Sequence, residues 1–353
     1  MNFEFRNASI TGILTVVPSN TLDFFEEMDA FNFPPARSRK LAEVMGFSKH
    51  KVVVEGKTSV DLAVVGFNYL FEHGLLKKED VSGIIFVTQS PDFFIPANSH
   101  ILHGLLGFSE DVFCLDITQG CAGYIIGLIQ AFLQINSGAE KIVLVNADTL
   151  SSKVSKQDRN SWPLIGDAAA ITIIERVAQD VEIKAIVKFR GAGRHALQIP
   201  AGAFREPSSE FSKIVADDGT GNLRSRENLI MDGSAIFNFV QENIPPLIQQ
   251  LVEYSGISKT DFDYFVFHQP NKFMLEKLAQ KMEVPQNKVI KNVVESFGNS
   301  SGVTIPLAIT HNLSEALISS NLRLCLAGFG VGLTWGAMDI QISGLDFCQV
   351  IED

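Results

Sequence analysis

Three side chains in this sequence have the types and settings for chemistry on a carbonyl carbon: Cys121, His268 and Asn299. Cys121 lies in Asp116-Ile-Thr-Gln-Gly-Cys-Ala-Gly-Tyr124. Val112 to Ile117 reads as a buried strand, and Ala122 to Ile135, apolar on every face, as a helix inside the protein. The cysteine is therefore expected at a strand-to-helix turn. Unpaired N–H groups and the macrodipole of a helix N-terminus favour the thiolate, the form that attacks carbonyls. Gly120 and Gly123 allow a sharp turn and a close substrate. Taken alone, the cysteine is equally well read as a small buried residue.

His268 ends a strand in Phe267-His-Gln-Pro-Asn271, where Pro270 stops the ladder. Asn299, in Ser296-Phe-Gly-Asn-Ser-Ser-Gly302, stands at a helix start, where asparagine is also a common cap. The elements that must position these residues alternate between strand and helix, which gives an α/β protein with buried sheets. Gly83 to Thr88 and Lys141 to Asn146 are strands of the first half. Thr58-x-x-Asp61 opens a helix, and Asp232 to Tyr254 reads as another. Gly202 to Glu227 reads as a polar loop insertion. Tyr264 to His268 repeats the character of Ile84 to Thr88, and Asn299 opens a helix through Leu317 as Gly120 opens the earlier one. The order suggests duplicated halves, residues 1–178 carrying the cysteine and 179–353 carrying the histidine and asparagine. Strand ends and helix starts of related halves converge on one site.

Composition narrows the function classes. A chain of 353 residues, 46% hydrophobic, is long enough for two domains or one large double domain. Four cysteines without ligand or disulfide spacing fit a reducing, cytoplasmic setting and no metal. The N-terminus lacks the pattern of a signal peptide, and the Ala122 helix, interrupted by Gly127 and Gln130, is no membrane span. A net charge of −11 argues against a nucleic-acid partner.

The chain resembles the thiolase-like condensing enzymes and, among them, β-ketoacyl-acyl carrier protein synthase III. The pieces that carry the resemblance are Ile10-Thr-Gly12, Thr58 to Ala63, Asp116 to Gly123, Gly166-Asp-Ala168, Met231-Asp-Gly233, His268-Gln-Pro-Asn271, Gly298-Asn-Ser-Ser301 and Gly328-Phe-Gly-Val-Gly-Leu-Thr-Trp-Gly336. It implies a five-layered αβαβα fold of two duplicated halves, and a homodimer. It also implies acylation of Cys121, with His268 and Asn299 binding the carbonyl of a malonyl thioester. The backbone N–H groups of Cys121 and Val331 would form the oxyanion hole, and no bound cofactor is needed. Arg159, Trp162, Asn271 and Phe329 are the implied substrate contacts. Cys325 lies one residue from the second reactive cysteine of thiolases, which turns it to the other strand face and makes it structural. Lys40 to Phe47 lacks the tryptophan and arginine with which the family grips coenzyme A. Whether coenzyme A or a carrier protein brings the acyl group therefore stays open.

An acidic acyl carrier protein needs basic residues for docking, and Lys272, Lys277 and Lys281 offer them. Lys277 and Lys281 share a helix face. A solvated face would look the same. Three functions are compatible with these residues: decarboxylating Claisen condensation with malonyl-acyl carrier protein in fatty-acid or related synthesis, plain acyl transfer to an alcohol or amine, and a non-catalytic partner subunit.

Overall fold

A computed structural model describes residues 1–31, 33–179 and 181–353. Its principal elements in chain order are β1 (Asn2–Phe5), β2 (Ala8–Val17), α1 (Pro35–Met45), α2 (Ser59–Glu72), β3 (Gly83–Val87), α3 (Asn98–Leu106), β4 (Phe113–Ile117), α4 (Gly123–Asn136), β5 (Lys141–Asp148) and β6 (Ala168–Arg176). They continue as β7 (Ile183–Phe189), α5 (Gly233–Ser255), β8 (Tyr264–Phe267), α6 (Lys272–Met282), α7 (Thr304–Asn312), β9 (Asn321–Gly330), β10 (Thr334–Ser343) and β11 (Phe347–Glu352). Two sheets result, a six-stranded one ordered β11-β2-β6-β5-β3-β4 and a five-stranded one ordered β1-β7-β10-β9-β8. The chain ends cross between them. β1 pairs with β7 in the second sheet, and β11 runs parallel to β2 in the first.

Side-chain parity places the layers. Ile85 and Leu144 of one sheet and Leu326 and Met338 of the other share a core with Leu128 and Phe132 of α4 and Leu307 and Ile309 of α7. Phe86 and Val145 face the opposite way, onto Leu62 and Phe67 of α2 and Leu102 of α3. Phe265 and Ala327 face Val240 and Leu247 of α5 and Leu275 and Leu278 of α6. The protein is thus layered αβαβα, the fold expected from its sequence. A helix pressed between two sheets buries most of its surface, which is why α4 is apolar except at Gln130, Gln134 and Asn136. Fully burying a side chain such as Phe132 contributes about 2–3 kcal/mol.

The helix signals act as read. Thr58 and Asp61 form a reciprocal capping box on α2, and Asp232 caps α5 by accepting from the Ala235 N–H at 2.9 Å. Three expectations need correction. The strand before the cysteine is not buried: β4 is the sheet edge, and Phe113 is 53% exposed. The helix after Asn299 starts only at Thr304 and breaks at Leu313, where φ −121° and ψ 7° leave the helical region and the Asn312 side chain bonds back to the Ala308 carbonyl. The 202–227 insertion contains a short hairpin, Ala216–Asp217 with Leu223–Arg224, that reaches the site. No helix among the described residues is long and apolar enough to cross a membrane.

Candidate active site

Cys121 stands at the expected place, between β4 and α4, in a turn closed by a 2.6 Å bond from the Gly123 N–H to the Gly120 carbonyl. Two neighbouring glycines sit in close quarters. A Cβ on Gly120 would lie 1.8 Å from Gln89 Oε1, and one on Gly330 would lie 2.9 Å from the Cys121 sulfur. The end of β9 therefore passes directly over the thiol, and the next residue, Val331, turns its backbone N–H toward the sulfur, as does Cys121 itself. These are the two donors expected of an oxyanion hole.

The electrostatics differ from the expected low thiol pKa. Burial, then the negative charge of Asp148, push the thiol up to about 11, outweighing the Val331 N–H, the Ser301 hydroxyl and the N–H of Cys121 itself. The Cys121 thiol is thus held neutral. Asp148 is 1% exposed, and its Oδ1 accepts from the Gln89 N–H (2.7 Å), the Thr88 hydroxyl (3.1 Å) and the Ser90 hydroxyl (3.2 Å). Burial still pushes its carboxyl up to about 6.

His268 ends β8, its N–H bonded to the Ala327 carbonyl at 2.8 Å. Its Nδ1 lies 2.8 Å from the Thr304 hydroxyl, and its ring meets Phe329 edge-on at 5.7 Å between centroids. Burial depresses it to about 3, so the imidazole is neutral. Asn299 is pinned by its backbone: its N–H reaches the Leu164 carbonyl at 2.6 Å and its carbonyl accepts from the Gly166 N–H at 3.1 Å. Its Oδ1 accepts from the Ser301 N–H at 3.0 Å, which leaves the amide Nδ2 as a donor.

Ser301 joins all three. It holds a left-handed conformation, φ +55°, uncommon for a residue with a side chain. Its N–H holds Asn299, and its carbonyl lies 3.0 Å from the Thr304 hydroxyl that touches His268. Its own hydroxyl makes no well-aligned bond but lies near both the Cys121 thiol and Asp148. Reading the sequence missed Ser301, Thr304, Gln89 and Asp148. Ser301 lies inside the Asn299 segment and Thr304 two residues beyond it, and Pro270, which has no N–H to offer the imidazole, is the signal that another partner is needed.

Cys121, Asn299, Val331, Asn271 and Arg159 line a cavity of about 890 Å³, closed on one side by Asp218, Thr220 and Arg224 of the insertion. Asn271 also caps α6, accepting from the Met274 N–H at 2.8 Å. Arg159 stacks over the Phe33 ring at 4.3 Å. Two expected substrate contacts are not in the cavity wall. Trp162 is 3% exposed, with its N–H on the Glu27 carboxylate at 3.0 Å and its ring against His50, because it closes a small core beneath the mouth. Phe329 is 2% exposed and braces His268. Cys325 is fully buried in the outer core beside α5 and α6, away from the thiol. On α6, Lys277 and Lys281 are exposed, Lys281 donating to the Gln241 carbonyl at 2.8 Å, while Lys272 packs over Gly46. No group of three or more metal-ligating side chains occurs among the described residues.

Comparison with known proteins gives the family. Residues 115–190 match the family described as 3-oxoacyl-[acyl-carrier-protein (ACP)] synthase III, and residues 252–342 match its C-terminal counterpart. A Campylobacter jejuni protein provisionally described as a 3-oxoacyl-[acyl-carrier-protein] synthase 3 is 30% identical over 98% of this chain and 97% of its own. A Clostridium perfringens β-ketoacyl-[acyl-carrier-protein] synthase III is 28% identical over 96% of this chain and 100% of its own. The solved 3-oxoacyl-(acyl-carrier protein) synthase of Burkholderia xenovorans superposes with a TM-score of 0.93 at 30% identity, covering 100% of this chain and 99% of that one. Xanthomonas campestris OleA shares the fold, with a TM-score of 0.78 at 16% identity. By its sequence and its layers, this chain belongs to the 3-oxoacyl-[acyl-carrier-protein] synthase III family of condensing transferases.

Proposed function

We propose that the protein transfers an acyl group from a thioester to Cys121 and condenses it, with loss of carbon dioxide, with a malonyl group on acyl carrier protein, in fatty-acid or related acyl-chain synthesis. The observation that carries this reading is the joining of the thiol to two neutral donors, the His268 imidazole and the Asn299 amide, through Ser301. A neutral imidazole cannot take up charge cheaply here, but it can donate a hydrogen bond to an oxygen that gains charge.

In the first step the sulfur attacks the acyl thioester, and the thiol proton leaves with the departing carrier thiol. The N–H groups of Cys121 and Val331 face the oxyanion that forms. In the second, the malonyl carboxylate leaves as carbon dioxide while His268 and Asn299 hold the enolate oxygen. The enolate carbon then attacks the acyl group, the same two N–H groups hold the second oxyanion, and collapse returns the Cys121 thiol after proton uptake.

Arg159 and Asn271 are the wall residues we assign to substrate contact, with either coenzyme A or a carrier protein as acyl donor. The exposed face of α6, with Lys277 and Lys281, is the proposed carrier-docking surface, with Lys272 beside it. The edge strand β4 and the exposed Phe93, Phe94, Ile95 and Phe204 favour a homodimer closing over that edge. We also read residues 1–178 and 179–353 as duplicated halves, and the enzyme as cytoplasmic.

Intact-mass analysis with acyl-coenzyme A and acyl-carrier donors tests the reading. We expect one acyl adduct, absent from Cys121→Ala. No adduct with any donor would refute it. If an adduct forms but malonyl-carrier releases no carbon dioxide, plain acyl transfer replaces condensation.

A further inference from the structure

Whether His268 can donate to an enolate depends on which ring nitrogen carries its proton, and a neutral imidazole carries only one. The partner of Nδ1 sets this. That partner is the Thr304 hydroxyl, 2.8 Å away and buried with it. No backbone N–H takes its place: Pro270 has none, the Gln269 N–H is itself spent on the Thr304 oxygen at 3.2 Å, and the Ser301 carbonyl, which also lies near the ring, can only accept.

The Thr304 hydroxyl has one hydrogen and two candidate acceptors, His268 Nδ1 and the Ser301 carbonyl at 3.0 Å. If the hydrogen goes to Ser301, Nδ1 must carry the imidazole proton, and Nε2 presents a lone pair that repels a developing oxyanion. If it goes to Nδ1, the proton sits on Nε2 and the ring becomes a donor. The Ser301 carbonyl does not need the hydroxyl, because it already accepts the backbone N–H of Thr304. Gln269 N–H fills one lone pair of the Thr304 oxygen and leaves its hydrogen to be directed at the ring. The Gln269 side chain is tied to the Phe267 carbonyl at 2.7 Å and the Ile290 carbonyl at 3.0 Å, which holds this segment in place.

We infer that Thr304 is a positioning residue: its hydroxyl donates to Nδ1 of His268, holds the neutral ring with its proton on Nε2, and so makes His268 a hydrogen-bond donor in the decarboxylation step. This rests on the condensing reading above. It separates the two halves of the reaction, since acylation of Cys121 uses backbone donors and no imidazole proton.

The test compares Thr304→Val, which keeps the shape and removes the hydroxyl, with Thr304→Ser, which keeps the hydroxyl. Removing one fixed oxyanion donor slows enzymes by about 10²–10³-fold, and a ring free to sample both tautomers should lose about 10–100-fold. We expect Thr304→Val to lose that much in carbon dioxide release from malonyl-carrier while acylating Cys121 within about threefold of the parent, and Thr304→Ser to restore decarboxylation. Nitrogen-15 NMR of the parent enzyme gives a readout that needs no variant, with the His268 proton expected on Nε2. A proton on Nδ1, or parental decarboxylation by Thr304→Val, would overturn the inference and leave the condensing reading standing. Failure of the parent itself to decarboxylate would instead sink that reading.

Discussion

The floor and the mouth of the cavity are held in different ways. At the floor and directly behind it, backbone groups do the holding: Asn299 is fixed by the Leu164 carbonyl and the Ser301 N–H, the buried His268 by the Ala327 carbonyl, and the thiol by the β9 end passing over it. At the mouth, side chains hold side chains. Arg224 spans Asp158, at 3.1 Å, and Asp218, and Arg159 lies on Phe33. Backbone-held groups move only when the fold moves, whereas a side chain held only by a ring, as Arg159 is by Phe33, can be exchanged at smaller cost. The floor can therefore keep its chemistry while the mouth changes what it admits.

That contrast can be broken most sharply at the floor. His268→Ala or Asn299→Ala should lower decarboxylation by about 10²–10³-fold with acylation of Cys121 largely kept. Equal loss in both steps would mean that the pair serves the nucleophile and not the enolate. Gly330→Ala comes next. A methyl 2.9 Å from the sulfur has to be accommodated by backbone shifts costing about 1–3 kcal/mol, so acylation should fall about 10–100-fold, read as adduct formation against time.

A smaller effect is expected from Asp148→Asn. The Asp148 charge helps raise the thiol to about 11, and its removal takes away a repulsion that disfavours the thiolate. The midpoint of iodoacetamide alkylation against pH should therefore move to lower pH. An upward or absent shift would show that Asp148 acts only through its hydrogen bonds.

The mouth should respond least. Arg159→Ala is expected to raise KM about fivefold with kcat unchanged, the sign of lost uniform binding. Trp162→Phe should leave KM alone and cost about 1–3 kcal/mol of stability through the lost bond to Glu27. A KM effect there would return Trp162 to the cavity wall.

The same division governs what is legible in the amino-acid sequence. Backbone constraints leave fixed residue types in short segments: glycine at 330 because a Cβ would meet Cys121, Pro270 ending a strand, and a largely apolar α4 between sheets. Those segments are enough to point to Cys121, His268, Asn299 and the layered fold. Trp162 misleads because nearness in sequence to Arg159 carries no information about which way a ring points, and its partner Glu27 is 135 residues away. β4 misleads because its sheet ends there, a fact that lies in strand order and not in its own apolar residues. The high thiol pKa is hidden for a similar reason, since helix position is local while burial and Asp148 are contributed by distant chain.

The central claim is that a single carbon–carbon bond is made on Cys121 with the help of His268 and Asn299. Mixing the acylated enzyme with malonyl-carrier and following the protein mass, carbon dioxide and the carrier product in one turnover tests it most directly. The expected result is loss of the acyl mass from Cys121 in step with one carbon dioxide and one 3-oxoacyl carrier two carbons longer than the starting acyl group. Acyl loss as free acid or as an ester or amide, with no carbon dioxide, would contradict it.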